Sequence, residues 1–231
     1  MEILKSEGID FRTSTTTKSV TVTYGDSVTL TGVQHEKPFE ITGSHVLVAS
    51  GRLPHTEDAG LKAAGVQLTP TGHFSVDENL RTNVQGIFAV GDCAGSPHFS
   101  HIGFDDYRIV RDFLLDKQPQ RSTKNRPVPY TLYTEPELAH VALSENAARK
   151  AGVQYRLAKL PMAAFLRTRT MDATQGFAKA LVSSTDDTIL GCTALGPRAG
   201  ELPPVVQLTM SAGLPYTGIS VLIITHPTLN E

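Results

Sequence analysis

The stretch Gly86-Ile87-Phe88-Ala89-Val90-Gly91-Asp92 decides the fold class. Its apolar residues run almost without interruption, the pattern of a strand buried on both faces rather than one half-exposed to water. The run stops on Gly-Asp. A glycine at the end of such a strand lets another group approach the backbone, and open α/β sheets bind ligands at the carboxyl ends of their strands. The Asp92 carboxylate can accept hydrogen bonds from a ligand hydroxyl, and burying it unpaired would be costly. Taken alone, an aspartate that caps the following loop explains the residue as well.

Working backward, residues 45–50 (His-Val-Leu-Val-Ala-Ser) have the same character and stop at Gly51, within Ala49-Ser50-Gly51-Arg52-Leu53-Pro54. By itself this motif reads more readily as an ordinary strand-ending turn than as a ligand site. Two such motifs at this spacing are far less expected by chance than either alone. The stretch between them is rich in turns, with Gly65, Pro70 and Gly72. Nearer the N-terminus, residues 1–7 read as the end of a helix stopped by Gly8. Thr- and Val-rich strands are expected over 9–12, 20–24 and 27–31, with Gly25-Asp26 turning a hairpin between the last two.

Working forward, residues 102–115 carry helical spacing, with Ile102, Ile109, Val110, Phe113 and Leu114 apolar. The acidic pair Asp105-Asp106 reads as a solvated face of that helix. Residues 116–129 are polar and aperiodic with three prolines, the best linker candidate in the chain. Beyond them the pattern is α+β. Strands are expected near 130–133, 155–159, 176–183 and 189–195, with Asp186-Asp187 as the turn between the last two. Ser144 can cap a helix over 145–151 that ends at Gly152. A second helix is expected over 200–212, ended by Gly213, with Pro203-Pro204 suited only to its first turn.

Composition narrows the function classes. The 231 residues are 40% hydrophobic and 19% charged, enough apolar material for a real core. The net charge of −2 gives no basic excess, so neither a nucleic acid nor an anionic membrane is expected as a partner. No run approaches the ~20 apolar residues of a membrane span, and Met1-Glu2-Ile3-Leu4-Lys5-Ser6-Glu7 has no apolar signal core, so a cytoplasmic protein is expected. Cys93 and Cys192 are too far apart in sequence for a CxxC or CxxxxC pair. His98 and His101 lie three apart but have no third partner in view, so no metal site is expected.

The last motif is His226-Pro227-Thr228-Leu229-Asn230-Glu231. A histidine followed by a carboxylate can form an oriented acid–base pair, in which the carboxylate fixes the ring tautomer and raises its basicity. Without further context, two solvated side chains are the simpler reading.

Together, residues 46–54, the segment 76–83 (Val-Asp-Glu-Asn-Leu-Arg-Thr-Asn), residues 86–95 and His-Pro-Thr-x-x-Glu at 226–231 resemble the pyridine nucleotide–disulfide oxidoreductases, among them dihydrolipoamide dehydrogenase, glutathione reductase and mercuric reductase. Residues 98–108 resemble most a mercuric-reductase-like branch. The resemblance implies an α/β part followed by an α+β part. Residues 1–44 would be a remnant of an NAD(P)-binding domain, 45–120 the C-terminal part of an FAD-binding domain, and 121–231 a dimerisation domain. It implies FAD as cofactor, NAD(P)H as co-substrate and a homodimer. Asp92 with Gly91 would face the ribityl or phosphate part of the flavin. Gly51 with Ser50 would lie against the cofactor. The helix start at Ile102 and Gly103 would point its partial positive charge at the ring. His226 and Glu231 would handle a thiol proton across the subunit boundary. The family usually has alanine where Gly103 stands.

The sequence contains neither a GxGxxG loop for a dinucleotide diphosphate nor a redox-active CxxxxC pair. It therefore resembles the C-terminal half of such an enzyme, expected to be inactive alone. A strand ending at Ser50 would also lack sheet neighbours. The rival reading is a stand-alone dimerisation or binding module without catalysis.

Overall fold

A computed structural model describes residues 1–56, 60–61, 63–117 and 121–231. They divide into two compact units, Met1–Leu53 and Pro54–Glu231.

The first unit opens on a short helix, α1 (Glu2–Ser6), followed by Gly8 at φ +90°. Three antiparallel strands follow in the order β1 (Thr15–Thr23), β2 (Ser27–Gln34) and β3 (Lys37–Gly43). The register aligns Val20, Leu30 and Ile41 across one face and Thr21, Thr29 and Thr42 across the other. Cross-strand hydroxyl pairs, Ser19–Thr31 at 2.7 Å and Thr29–Thr42 at 2.9 Å, knit the polar face. Gly32 is required where it stands: a Cβ would lie 2.3 Å from the Thr16 carbonyl oxygen and 2.6 Å from the Phe39 ring. The β-branched threonines at 15–17 extend β1 beyond the 20–24 expected, and β3 is an addition. Residues 9–12 form no strand; Asp10 and Arg12 pair locally instead, at 3.0 Å.

Neither apolar run that signalled buried strands is a paired strand. Leu47 and Val48 are 89% and 76% exposed. Residues 86–92 make a single bridge, Arg81 to Phe88, and then enter a 3-10 turn, Gly91–Ala94. The reason is physical. A strand buried on both faces takes its hydrogen bonds and its burial from neighbours, and no ladder partner for these runs occurs among the described residues.

The second unit is built on helix α2 (Ser100–Leu114) and a five-stranded antiparallel sheet. The sheet strands are β4 (Pro129–Leu132), β5 (Glu137–Ala142), β6 (Tyr155–Pro161), β7 (Phe177–Ser183) and β8 (Ile189–Gly196), in the order β4-β5-β8-β7-β6. Strand β5 is the member not expected from sequence. Helix α3 (Glu145–Lys150) starts where Ser144 accepts the Ala147 N–H, the cap its sequence announces. Two short helices, α4 (Leu166–Thr170) and α6 (Thr217–Ser220), flank α5 (Pro203–Ser211) in chain order; α5 starts on Pro203-Pro204. Ala139, Met162, Ala194 and Ala199 form a buried cluster with Phe165, Ala178 and Leu202 packed against it.

The expected linker is not a free connection where it is described. The Thr123 N–H donates to the Glu78 carbonyl at 2.9 Å, and Arg126 is ion-paired to α2. Residues 118–120 of that stretch lie outside the described residues.

Candidate functional site

The Gly91–Ala94 turn and the start of α2 meet at two glycines. Gly91 has φ +68°, a conformation L side chains rarely adopt. A Cβ on Gly91 would stand 3.8 Å from the Gly103 Cα, and one on Gly103 would stand equally far from the Gly91 Cα. With neither carrying a side chain, the backbones close up and Asp92 is presented at an exposed position in the turn.

The turn is fastened by a residue that sequence reading assigned to solvent. Asp106 has no exposed surface. Its Oδ2 accepts the Gly91 N–H at 2.7 Å, and its Oδ1 accepts from Arg126 Nη1 at 2.6 Å. Arg126 also reaches Asp105 at 3.2 Å. The expectation of a solvated acidic pair is corrected by helical geometry: Asp106 stands four residues after Ile102 and three before Ile109, both buried, so it shares their face. Asp112 is buried too, and the Arg111 guanidinium hydrogen bond holds its carboxyl below the ordinary range.

Phe99 precedes α2 without a side-chain cap. The Ile102 and Gly103 N–H groups both donate to the Phe99 carbonyl, at 2.9 and 3.1 Å. The Ser100 and His101 amides are then the first-turn donors with no partner among the described residues. Two contacts tie this turn to β4: His101 Nε2 donates to the Pro129 carbonyl at 2.8 Å, and the Phe99 ring stacks on Tyr130 at 5.4 Å. Tyr130 in turn meets buried His140, whose Nε2 donates to the Ala142 carbonyl and whose Nδ1 accepts from Thr193. Burial pushes the His140 pKa down, keeping the ring neutral.

Ser50 and Gly51 belong to the first unit, with Gly51 at φ +113° and open space where its Cβ would point. His226 and Glu231 do form a pair: Nδ1 donates to Oε1 at 2.7 Å, and the Thr228 N–H donates to Oε2 at 3.1 Å. These bonds hold the Glu231 carboxyl below its ordinary pKa, the His226 contact most of all. With Nδ1 carrying the proton, Nε2 of the neutral ring is the nitrogen left to take another. The His226 side chain is 63% exposed. Beside the pair, Leu160, Ala164, Phe165 and Leu166 line an apolar cleft with Thr228 and Glu231.

His98 and His101 do not converge. His101 bonds to Pro129, and the His98 ring lies against His73. No group of three or more His, Cys, Asp or Glu able to hold a metal occurs among the described residues. Cys93 Sγ donates to the Val90 carbonyl, and burial raises the Cys192 thiol to about 11. No helix among the described residues is long and apolar enough to cross a membrane.

Comparison with known proteins shows the family. Residues 1–145 match the sequence model described as pyridine nucleotide-disulphide oxidoreductase, and residues 128–231 match that family's dimerisation domain. The chain is 35% identical over 204 residues to the probable pyridine nucleotide-disulfide oxidoreductase RclA of Escherichia coli, covering 85% of this chain and 46% of that protein. It is 33% identical to dihydrolipoyl dehydrogenase of Thermus scotoductus, covering 99% and 49% respectively. The solved structure of the HOCl-induced flavoprotein disulfide reductase RclA from Escherichia coli, as a Cu(II) complex, superposes with a TM-score of 0.87 at 33% identity, over 99% of this chain and 51% of that one. LpdA from Mycobacterium tuberculosis shares the fold, with a TM-score of 0.88. The chain thus spans about half the length of the curated relatives it matches.

Proposed function

The chain belongs to the pyridine nucleotide-disulphide oxidoreductase family, and from that premise we propose that it supplies the flavin-facing turn, the thiol-end acid–base pair and the dimer contact of an FAD-dependent NAD(P)H:disulfide or metal-ion oxidoreductase. Residues 1–44 serve as the end of the nicotinamide domain, 45–120 as the returning part of the flavin domain and 121–231 as the dimerisation domain of a homodimer.

The residues present fit one side of a flavin. The glycine corner puts no side chain of residues 91 and 103 in the way, Asp92 carries a carboxylate able to accept from hydroxyls, and the first-turn amides suit an anionic ring. Asp92 and the α2 start would hold the ribityl and ring portions. FAD, when bound, supplies the acceptor for hydride from the nicotinamide and the donor of electrons onward. His226 Nε2 takes the proton of an attacking thiol and returns it to a leaving thiolate, and Glu231 holds the ring in that tautomer and stabilises its charged form. Leu160 and Phe165 line the cleft that Glu231 also borders.

The observation that carries the proposal is the His226–Glu231 hydrogen bond at 2.7 Å in a segment matched to the family's dimerisation domain. Neither a GxGxxG loop nor a CxxxxC pair is in the sequence, so the chain by itself is not expected to turn over. The test joins it to the N-terminal half of the Thermus scotoductus relative and follows flavin uptake and NAD(P)H oxidation. A yellow, active chimera is expected. A folded but flavin-free chimera, or a colourless dimer with no gain of activity, overturns the reading in favour of a non-catalytic dimerisation module.

A further inference from the structure

We propose that Asp106 and Arg126 are a positioning pair that fixes the Gly91–Asp92 turn to the start of α2 and makes its placement depend on the segment leading into β4. The inference rests on the flavin-facing role given above to that turn.

A carboxylate without exposed surface must have its charge and lone pairs answered by the protein. Asp106 uses one oxygen for the Gly91 amide and the other for Arg126. Hydrogen bonds to an ionised acceptor are short and about twice as strong as neutral ones, and both bonds here are short, at 2.7 and 2.6 Å. An apolar side chain at 106 could pack the α2 face equally well. It could not hold the Gly91 amide. The carboxylate is therefore specific to the turn.

Arg126 brings in the second dependence. It is three residues before the first residue of β4, Pro129, and its side chain is only 14% exposed. The same short stretch carries the Pro129 carbonyl that accepts from His101, and Tyr130, on which Phe99 stacks. Three residues, Arg126, Pro129 and Tyr130, thus reach from this stretch to the first two turns of α2 and its N-cap. A shift of β4 would carry the helix start and the Asp92 turn with it. By this arrangement the dimerisation sheet contributes to the flavin side of its own chain, besides presenting His226.

The test uses the chain with Arg126→Gln, Arg126→Lys and the apolar double variant Asp106→Leu/Arg126→Met. Hydrogen exchange and the Gly91 amide resonance are read by NMR. The Gln variant should speed exchange at Gly91 by about tenfold, as expected when a charged partner is lost locally, with β7 and β8 amides unchanged. The Lys variant should restore most of the protection. The double variant carries no buried charge at this site and is expected to stay folded, yet its Gly91 amide should move upfield and exchange as fast as in the Gln variant. The same substitutions in the chimera should weaken FAD binding by about tenfold, again with rescue by Lys. Unchanged Gly91 exchange in the folded double variant overturns the proposal, as does FAD affinity indifferent to all three variants. A wild-type chimera without flavin defeats the functional reading separately, whatever the exchange data show.

Discussion

Exchanging each of the two facing glycines for alanine should move stability in opposite directions. At Gly91 the backbone sits at φ +68°, and the added Cβ would find the Gly103 Cα at 3.8 Å, an ordinary contact. The penalty is therefore the left-handed conformation itself, about 1–2 kcal/mol. At Gly103 the backbone is within α2 and the added Cβ meets only the Gly91 Cα, also at 3.8 Å. Alanine there removes the entropic cost of a helical glycine, a gain of about 0.5–1 kcal/mol. The two variants should thus differ by roughly 1.5–3 kcal/mol. With a urea m-value of about 2–3 kcal/mol/M, their unfolding midpoints should stand roughly 1 M apart, with wild type between. Far-UV circular dichroism is the suitable probe because the chain has no tryptophan. Gly103→Ala falling below wild type would mean that the two backbones approach more closely than described. Gly91→Ala matching wild type would mean that the turn is not left-handed. Either result refutes the geometry on which the Asp92 presentation rests.

Three other outcomes follow. The Glu231 side chain should titrate below the ordinary glutamate value of 4.5, and the His226→Gln variant should bring it back up; because the folded pKa is lowered, its stabilising contribution is present above that value and is lost as the pH falls through the folded midpoint, which a carboxyl-carbon NMR titration will read. Cys192, its thiol raised to about 11 by burial, should resist a thiol reagent at pH 8 in the folded chain and react fully in denaturant. Leu181→Ala, at a position in β7 with no exposed surface, should cost about 2–5 kcal/mol in urea unfolding, where Leu157→Ala on the exposed edge strand β6 should cost far less.

What could be read beforehand divides by range of interaction. The second half was legible because its signals are local: Ser144 caps α3, Asp186-Asp187 turns β7 into β8, and Gly152 and Gly213 end helices. The runs 45–50 and 86–92 carry the strand signal, but their strand state depends on neighbours, so Leu47 and Val48 stand exposed. Strand β5 was missed because Glu137 and His140 interrupt its apolar pattern; His140 is buried only because Thr193 and Ala142 satisfy both its nitrogens. The Gly-Asp turn and the His–Glu pair were found by motif. Asp106 was missed by weighing its charge above its position, although the spacing from Ile102 and Ile109 placed it on the buried face. Arg126 carried no signal at all, since its partner lies 20 residues earlier.

Reoxidation of flavin in the reconstituted enzyme tests the role of the His226–Glu231 pair most directly. The chimera is reduced with NAD(P)H and then mixed with a disulfide substrate while the flavin band is followed. His226→Gln should take up flavin and be reduced at the wild-type rate, but pass electrons to the disulfide about 10²–10⁴-fold more slowly, the contribution of a positioned general acid–base. Reoxidation of that variant at the wild-type rate would contradict the role given to the His226–Glu231 pair, and with it the reading of this chain as the thiol-handling half of the enzyme.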